Sequence, residues 1–257
     1  LDSNANASSG QTALFTISLG SNDTTIDCGM RAVEVSINDV SLTEGNIGAK
    51  SFNFTVSLSV APLQSVTVSY ATADSTATTA DNDYVGATNT LTFNPGETTK
   101  TVSVSVNGDF KYEPNETFFV NLTSATNAFI DDGQGAGTIL NDDGQPSISI
   151  GDAGNYEGNS GQTSFGFPVT LTNPSYQTIT VWYYTADYTA TVADGDYVPV
   201  TSTMLTFNPG DMVKYAVVQV IGDTKFELND KFKVNLSNST NAPIFDNERF
   251  GCPLFDL

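Results

Sequence analysis

The residues with chemistry to offer in this chain are carboxylates. "GDFKYEPNETFFVNL" begins at Gly108 and "GDTKFELNDKFKVNL" at Gly222, 114 residues later. Each sets an Asp four residues before an acidic residue, with another acid three further on. The 257 residues hold 29 Asp and Glu against 9 Lys and Arg, a net charge of −20, and no His. Without imidazole, the usual general base of Ser and Cys hydrolases and the nitrogen ligand of zinc are missing. Carboxylates, Asn side chains and backbone carbonyls remain as hard oxygen donors, and calcium is the metal that suits them. The same charge weighs against duplex DNA and anionic membranes as partners, because it repels both.

These acids belong to a longer internal repeat. "TEGNIGAKSFNFTVSL" from Thr43 answers "YEGNSGQTSFGFPVTL" from Tyr156, and "YATADSTATTADNDYV" from Tyr70 answers "YYTADYTATVADGDYV" from Tyr183. "LTFNPGETTKTVSVSV" from Leu91 answers "LTFNPGDMVKYAVVQV" from Leu205, so the offset is 113 or 114 residues throughout. A period so far above the ~20–50 residues of solenoids predicts two domains with separate cores. We place them at residues 33–143 and 147–257, joined at 144–146. Within a copy the alternation of Phe52, Phe54, Val56 and Leu58 with polar residues reads as a half-buried strand, and "NPG" from Asn94 reads as a turn. About seven such strands per copy, near 33–42, 51–60, 65–73, 88–93, 98–106, 116–124 and 136–141, predict an all-β chain of two tandem seven-stranded immunoglobulin-like β-sandwiches. Residues 1–32 stand outside the repeat, yet "TALFTISLGS" from Thr12 reads as a strand with Phe15, Ile17 and Leu19 on one face.

When successive strands alternate in direction, the acids of the first copy segregate. Glu44, Asp74, Asp81, Asp83, Asp109, Glu113, Glu116, Asp142 and Asp143 fall at one end; Glu97, Asp131 and Asp132 fall at the other. The whole copy has 14 acids and three lysines, a balance of −11. Acids scattered over loops would serve solubility, but crowding them at one end costs stability through repulsion. A Ca²⁺ ion, which takes six to eight oxygens, supplies the missing attraction.

The motifs "EGN" at Glu44, "ATADSTATTADNDYV", "LTFNPGET", "GDFKYEPNETFFVNL" and "GTILNDD", in this order and spacing, resemble a Calx-beta domain. The resemblance covers residues 33–143 and again 147–257. It implies a sandwich of Calx-beta type that binds Ca²⁺ at its C-terminal end, with ligands matching Glu44, Asp74, Asp109, Glu113, Glu116, Asp142 and Asp143, joined by a backbone carbonyl near Lys111. The second copy keeps Glu157, Asp187, Asp223 and Glu227. It departs at Asp230, which is followed by Lys231, and at its end, where "RFGCPLFDL" has no Asp pair. With 12 acids against five basic residues it is expected to hold a weaker site.

The two cysteines, Cys28 and Cys252, form no CxxC pair. Two sandwiches in line would span roughly 80 Å, whereas a disulfide needs Cα atoms within about 7 Å. Three readings stay open: free thiols, a head-to-tail Cys28–Cys252 bond between molecules, and a sharp fold-back. The spare strand favours head-to-tail contact, since it can pair with a neighbour's sheet edge, bringing Asp23 and Asp27 toward the neighbour's second copy. A contact of this kind that does not close makes a filament. No apolar run approaches the ~18 residues of a membrane span, and "LDSNANASSG" lacks the basic and apolar regions of a signal peptide, as in a mature product or a fragment. The expected function is a non-enzymatic extracellular or cell-surface module in which Ca²⁺ stiffens the joint between domains. Its partners would be other copies of itself, surface proteins or polysaccharides. A stalk segment of a large adhesin and a carboxylate-based glycosidase are the alternatives. Sequons occur at Asn6, Asn22, Asn53, Asn115, Asn121, Asn235 and Asn238.

Overall fold

A computed structural model of the chain describes residues 32–225 and 230–254. Among them every regular element is a strand. The first repeat comprises β1 (Glu34–Ile37), β2 (Val40–Thr43), β3 (Gly48–Leu58), β4 (Val66–Ala73), β5 (Thr88–Phe93), β6 (Thr99–Gly108), β7 (Glu116–Thr126), β8 (Phe129–Ile130) and β9 (Gln134–Leu140). The second comprises β10 (Ile148–Ile150), β11 (Ala153–Tyr156), β12 (Gln162–Leu171), β13 (Ile179–Ala186), β14 (Thr203–Phe207), β15 (Val213–Ile221), β16 (Phe232–Thr240), β17 (Ile244–Asp246) and β18 (Glu248–Leu254).

Each repeat forms two sheets with the same order. In the first they run β6–β3–β1–β8 and β2–β9–β7–β4–β5; in the second, β15–β12–β10–β17 and β11–β18–β16–β13–β14. Alternation decides which side chains face inward. Phe52, Phe54 and Val56 of β3 are fully buried, as are Val66 and Val68 of β4 and Phe118 and Val120 of β7. Phe118 joins the two sheets: its ring lies 5.9 and 6.0 Å from those of Phe52 and Phe54, and Tyr84 stacks on it at 4.5 Å. Phe232 does the same in the second repeat, against Phe165, Phe167 and Tyr197. Burial of each such ring contributes about 1.5–3 kcal/mol.

The expected strand over 33–42 is realised as two. β1 pairs antiparallel with β3, whereas β2 lies beside β9 in the opposite sheet. The crossing falls at Asn38 and Asp39, whose side chains take over the ladder. Asn38 Oδ1 accepts from the Thr55 amide at 2.5 Å, and Asp39 Oδ1 accepts from the Ala136 amide at 2.7 Å. This crossing positions the acidic cluster, because it sets the end of β2 beside the end of β9. The strand over residues 12–20, with Phe15, Ile17 and Leu19, lies outside the described residues, as does Cys28.

Candidate metal centre

Glu44 follows β2, and Asp142 and Asp143 follow β9. Since these strands are neighbours, the three carboxylates meet: one oxygen from each lies within 4.8 Å of the others. That limit is about twice a Ca–O distance, the widest separation of two oxygens on one ion. The connection is pinned by its backbone. Gly45, at φ +83°, turns the chain and donates its N–H to Asp142 Oδ1 at 3.1 Å. Gly108, at the end of β6, passes so close that a Cβ there would collide with the Gly45 carbonyl and lie 3.0 Å from that of Glu44. This close approach delivers Asp109 to the cluster. Gly222 repeats it, with a Cβ position 2.7 Å from the Glu157 carbonyl.

Burial and like charge act together on these groups. Glu44 is 7% exposed and Asp143 8%. Burial foremost, then Asp109, Glu113, Asp143 and Asp142, push the Glu44 carboxyl up to about 8 from 4.5. Asp143 is raised as well, by burial first and then by Asp142 and Asp109; Asn46, donating from Nδ2 at 2.8 Å, opposes the rise. Asp143 Oδ2 is buried without a hydrogen-bond partner. Leaving a buried carboxylate oxygen unsatisfied costs about 1–3 kcal/mol or more, which a bound cation would remove. An all-oxygen set with one orphaned buried acceptor fits a hard cation such as Ca²⁺.

The remaining acids of the first repeat are placed differently. Asp109 Oδ1 accepts from the Lys111 amide at 2.6 Å, and Glu113 forms an ion pair with the Lys111 ammonium. Glu116 opens β7 and brings a carboxylate oxygen within 4.8 Å of Asp83, whose Oδ2 accepts from the Thr78 amide at 2.7 Å. Asp74 is held inside its own connection. The Tyr84 hydroxyl donates to it at 2.6 Å and the Thr79 amide at 3.0 Å, and these donors lower its pKa. Burial and Asp74 in turn push the Tyr84 phenol up to about 12. Sequence reasoning assigned no role to Asn46 or Tyr84. The "DYV" shared by both copies, at Tyr84 and Tyr197, is the signal that marks the tyrosine.

In the second repeat Glu157 is buried. Asp187 accepts from the Tyr197 hydroxyl at 2.6 Å and the Val192 amide at 3.1 Å, and Asp223 accepts from the Lys225 amide at 2.6 Å. Asp230 is half-buried ahead of β16, and Glu227 lies outside the described residues. Among the described residues the second repeat assembles no group of three carboxylates like that at Glu44. Cys252, on β18, is half-buried. No helix of the described residues is long and apolar enough to cross a membrane.

Residues 35–144 and 141–248 each match the Calx-beta domain. Adhesion G-protein coupled receptor V1 of Danio rerio is 30% identical over 166 residues, which is 62% of this chain and 3% of that protein. Extracellular matrix organizing protein FRAS1 of Mus musculus is 25% identical over 181 residues, 66% of this chain and 4% of that protein. The chain thus spans a small part of the length of these relatives. Among solved structures, CBD12 from CALX1.2 is 18% identical, covering 86% of this chain and 100% of that one, with a TM-score of 0.41. The apo-form Calx CBD1 domain is 23% identical, covering 44% and 100%, with a TM-score of 0.40.

Proposed function

We propose that this chain, which belongs to the Calx-beta domain family, is a non-enzymatic extracellular structural or adhesion module that binds Ca²⁺ at the end of its first repeat. Glu44, Asp142 and Asp143 would hold the ion, with Asp109 and Glu113 adding negative charge beside them. The observation that carries this reading is Asp143 Oδ2, a buried carboxylate oxygen without a donor, set within a group of three carboxylates. Bound calcium supplies the positive charge that this cluster lacks. Asp142 and Asp143 are also the last residues before the "GQP" connection. Holding them fixes the direction in which the chain leaves the first repeat, and so stiffens the joint. The names of the curated relatives, an adhesion receptor and a matrix-organizing protein, support an extracellular or cell-surface setting.

The second repeat, through Glu157, Asp187, Asp223, Glu227 and Asp230, would bind more weakly, because Lys231 follows Asp230 and no Asp pair closes the repeat. Calorimetric titration with Ca²⁺ tests the assignment. Asp143→Asn should weaken the tighter site at least about tenfold, and Asp187→Asn should leave that site unchanged. A wild-type chain that takes up no Ca²⁺ at millimolar concentration would refute it. Scattering profiles with and without chelator test the joint, and identical profiles would remove that part of the proposal. Head-to-tail assembly through residues 12–20 and a Cys28–Cys252 bond is a separate proposal, resting on the sequence. Dimers and longer species on non-reducing gels are its expected result, and a chain that stays monomeric in calcium would end it.

A further inference from the structure

The two repeats share their strand register but not their outer surface. On the first repeat Ser69 of β4 stands opposite Thr90 of β5, and the two hydroxyls hydrogen-bond at 3.0 Å. At the same register of the second repeat, Trp182 of β13 stands opposite Met204 of β14. Two residues along, Tyr184 replaces the first repeat's Ala71. Trp182, Tyr184 and Met204 are 36%, 38% and 48% exposed. On their other flank β16 places Ser237 opposite Trp182 and Asn235 opposite Tyr184. The row is closed at one end by Lys233, whose ammonium lies 5.8 and 5.6 Å from the Tyr188 and Phe250 ring centroids and pairs with Glu248 at 3.0 Å.

We propose that this outer face of β13, β14 and β16 is a binding site for a neutral polysaccharide chain. Aromatic ring faces carry partial negative charge and attract the polarised C–H face of a pyranose. Residues two apart on a strand are roughly 6.8 Å apart, so Trp182 and Tyr184 form a row suited to successive sugar rings. The Ser237 hydroxyl and Asn235 amide supply donors and acceptors beside that row for sugar hydroxyls. Trp182, Tyr184, Met204 and Ser237 carry no charge, Glu248 opposite Asn235 is paired with Lys233, and the chain's charge of −20 disfavours an anionic ligand. Area separates a glycan from a second protein. Three side chains exposed to this degree leave on the order of 250 Å² of contact surface, well below the ~800 Å² per partner of a stable protein interface.

The chain has one tryptophan, and it lies in this face, so its emission reports occupancy directly. The full chain is titrated with cellohexaose, chitohexaose and xylohexaose while tryptophan emission is followed. Retention is measured in parallel by electrophoresis through gels that contain a soluble polymer of each of these sugars. A saturable blue shift with at least one of the sugars is expected. Tyr184→Ala and Trp182→Ser, which restore the residues of the first repeat, should each weaken binding roughly tenfold or more, the second read by retention alone. Tyr215→Ala, at an exposed ring on β15, should leave binding unchanged, and all variants should melt like the wild type. Absence of response to all three sugars, or retention unaltered in both variants, would overturn the proposal. So would a blue shift that follows protein concentration without sugar, which would show the face covered by a second copy.

Discussion

Exchange of Glu44 for Gln separates the cost of the acidic cluster from every other feature of the first repeat. Folding raises the Glu44 pKa from 4.5 to about 8, so the folded chain keeps this proton where the unfolded chain has lost it. Between those values the folded state binds more protons, and stability must fall as pH rises. The contribution is complete below about 4.5 and is gone near 8. At about 1.36 kcal/mol per pH unit, the interval from 4.5 to about 8 amounts to roughly 5 kcal/mol at most. For a domain of this size that corresponds to on the order of 20 °C in melting temperature. Calorimetry in chelator, stepped from pH 4.5 to 8, should show the first repeat of the wild type losing stability along this interval. The Gln variant, with no proton to lose, should follow a flatter course, and saturating Ca²⁺ should flatten the wild type as well. Parallel pH curves for the two proteins in chelator would refute the reasoning, because the other acids are common to both.

Gly108→Ala places a methyl group against the Gly45 carbonyl, so it should weaken Ca²⁺ uptake and cost about 1–3 kcal/mol, read by titration and melting. Gly96→Ala is its control: φ of +87° strains the turn by about 1–2 kcal/mol, but nothing lies nearby and calcium binding should not change. Tyr84→Phe removes the O–H donated to Asp74, and should return the Asp74 pKa upward toward 3.8, which carboxyl NMR titration can follow. Phe232→Ala empties the centre of the second core, and should cost about 3–5 kcal/mol while the first repeat still takes up calcium.

Side-chain alternation makes most of the fold legible in the sequence. The period of two in "SFNFTVSL" marks Phe52, Phe54, Val56 and Leu58 as one face, and all four are buried. A pleated strand offers no other way to bury four apolar residues at that spacing. The repeat itself carried the family resemblance, since motifs held at one offset describe two copies of one sandwich. The break within the first strand was not legible in the same way. Asn38 and Asp39 read as ordinary polar positions, and only their bonds to Thr55 and Ala136, distant in sequence, turn them into a crossing between sheets.

The acidic site divides along the same line. The sequence determined that carboxylates crowd one end of the first repeat and that no histidine accompanies them. Tertiary structure decided what each carboxylate does, because pKa and hydrogen bonding depend on neighbours that chain spacing does not specify. It set Glu44 beside Asp142 and Asp143 by making β2 and β9 neighbours. It left Asp143 Oδ2 buried without a donor, while Asp74, equal to the others in composition, was given hydrogen bonds from Tyr84 and Thr79.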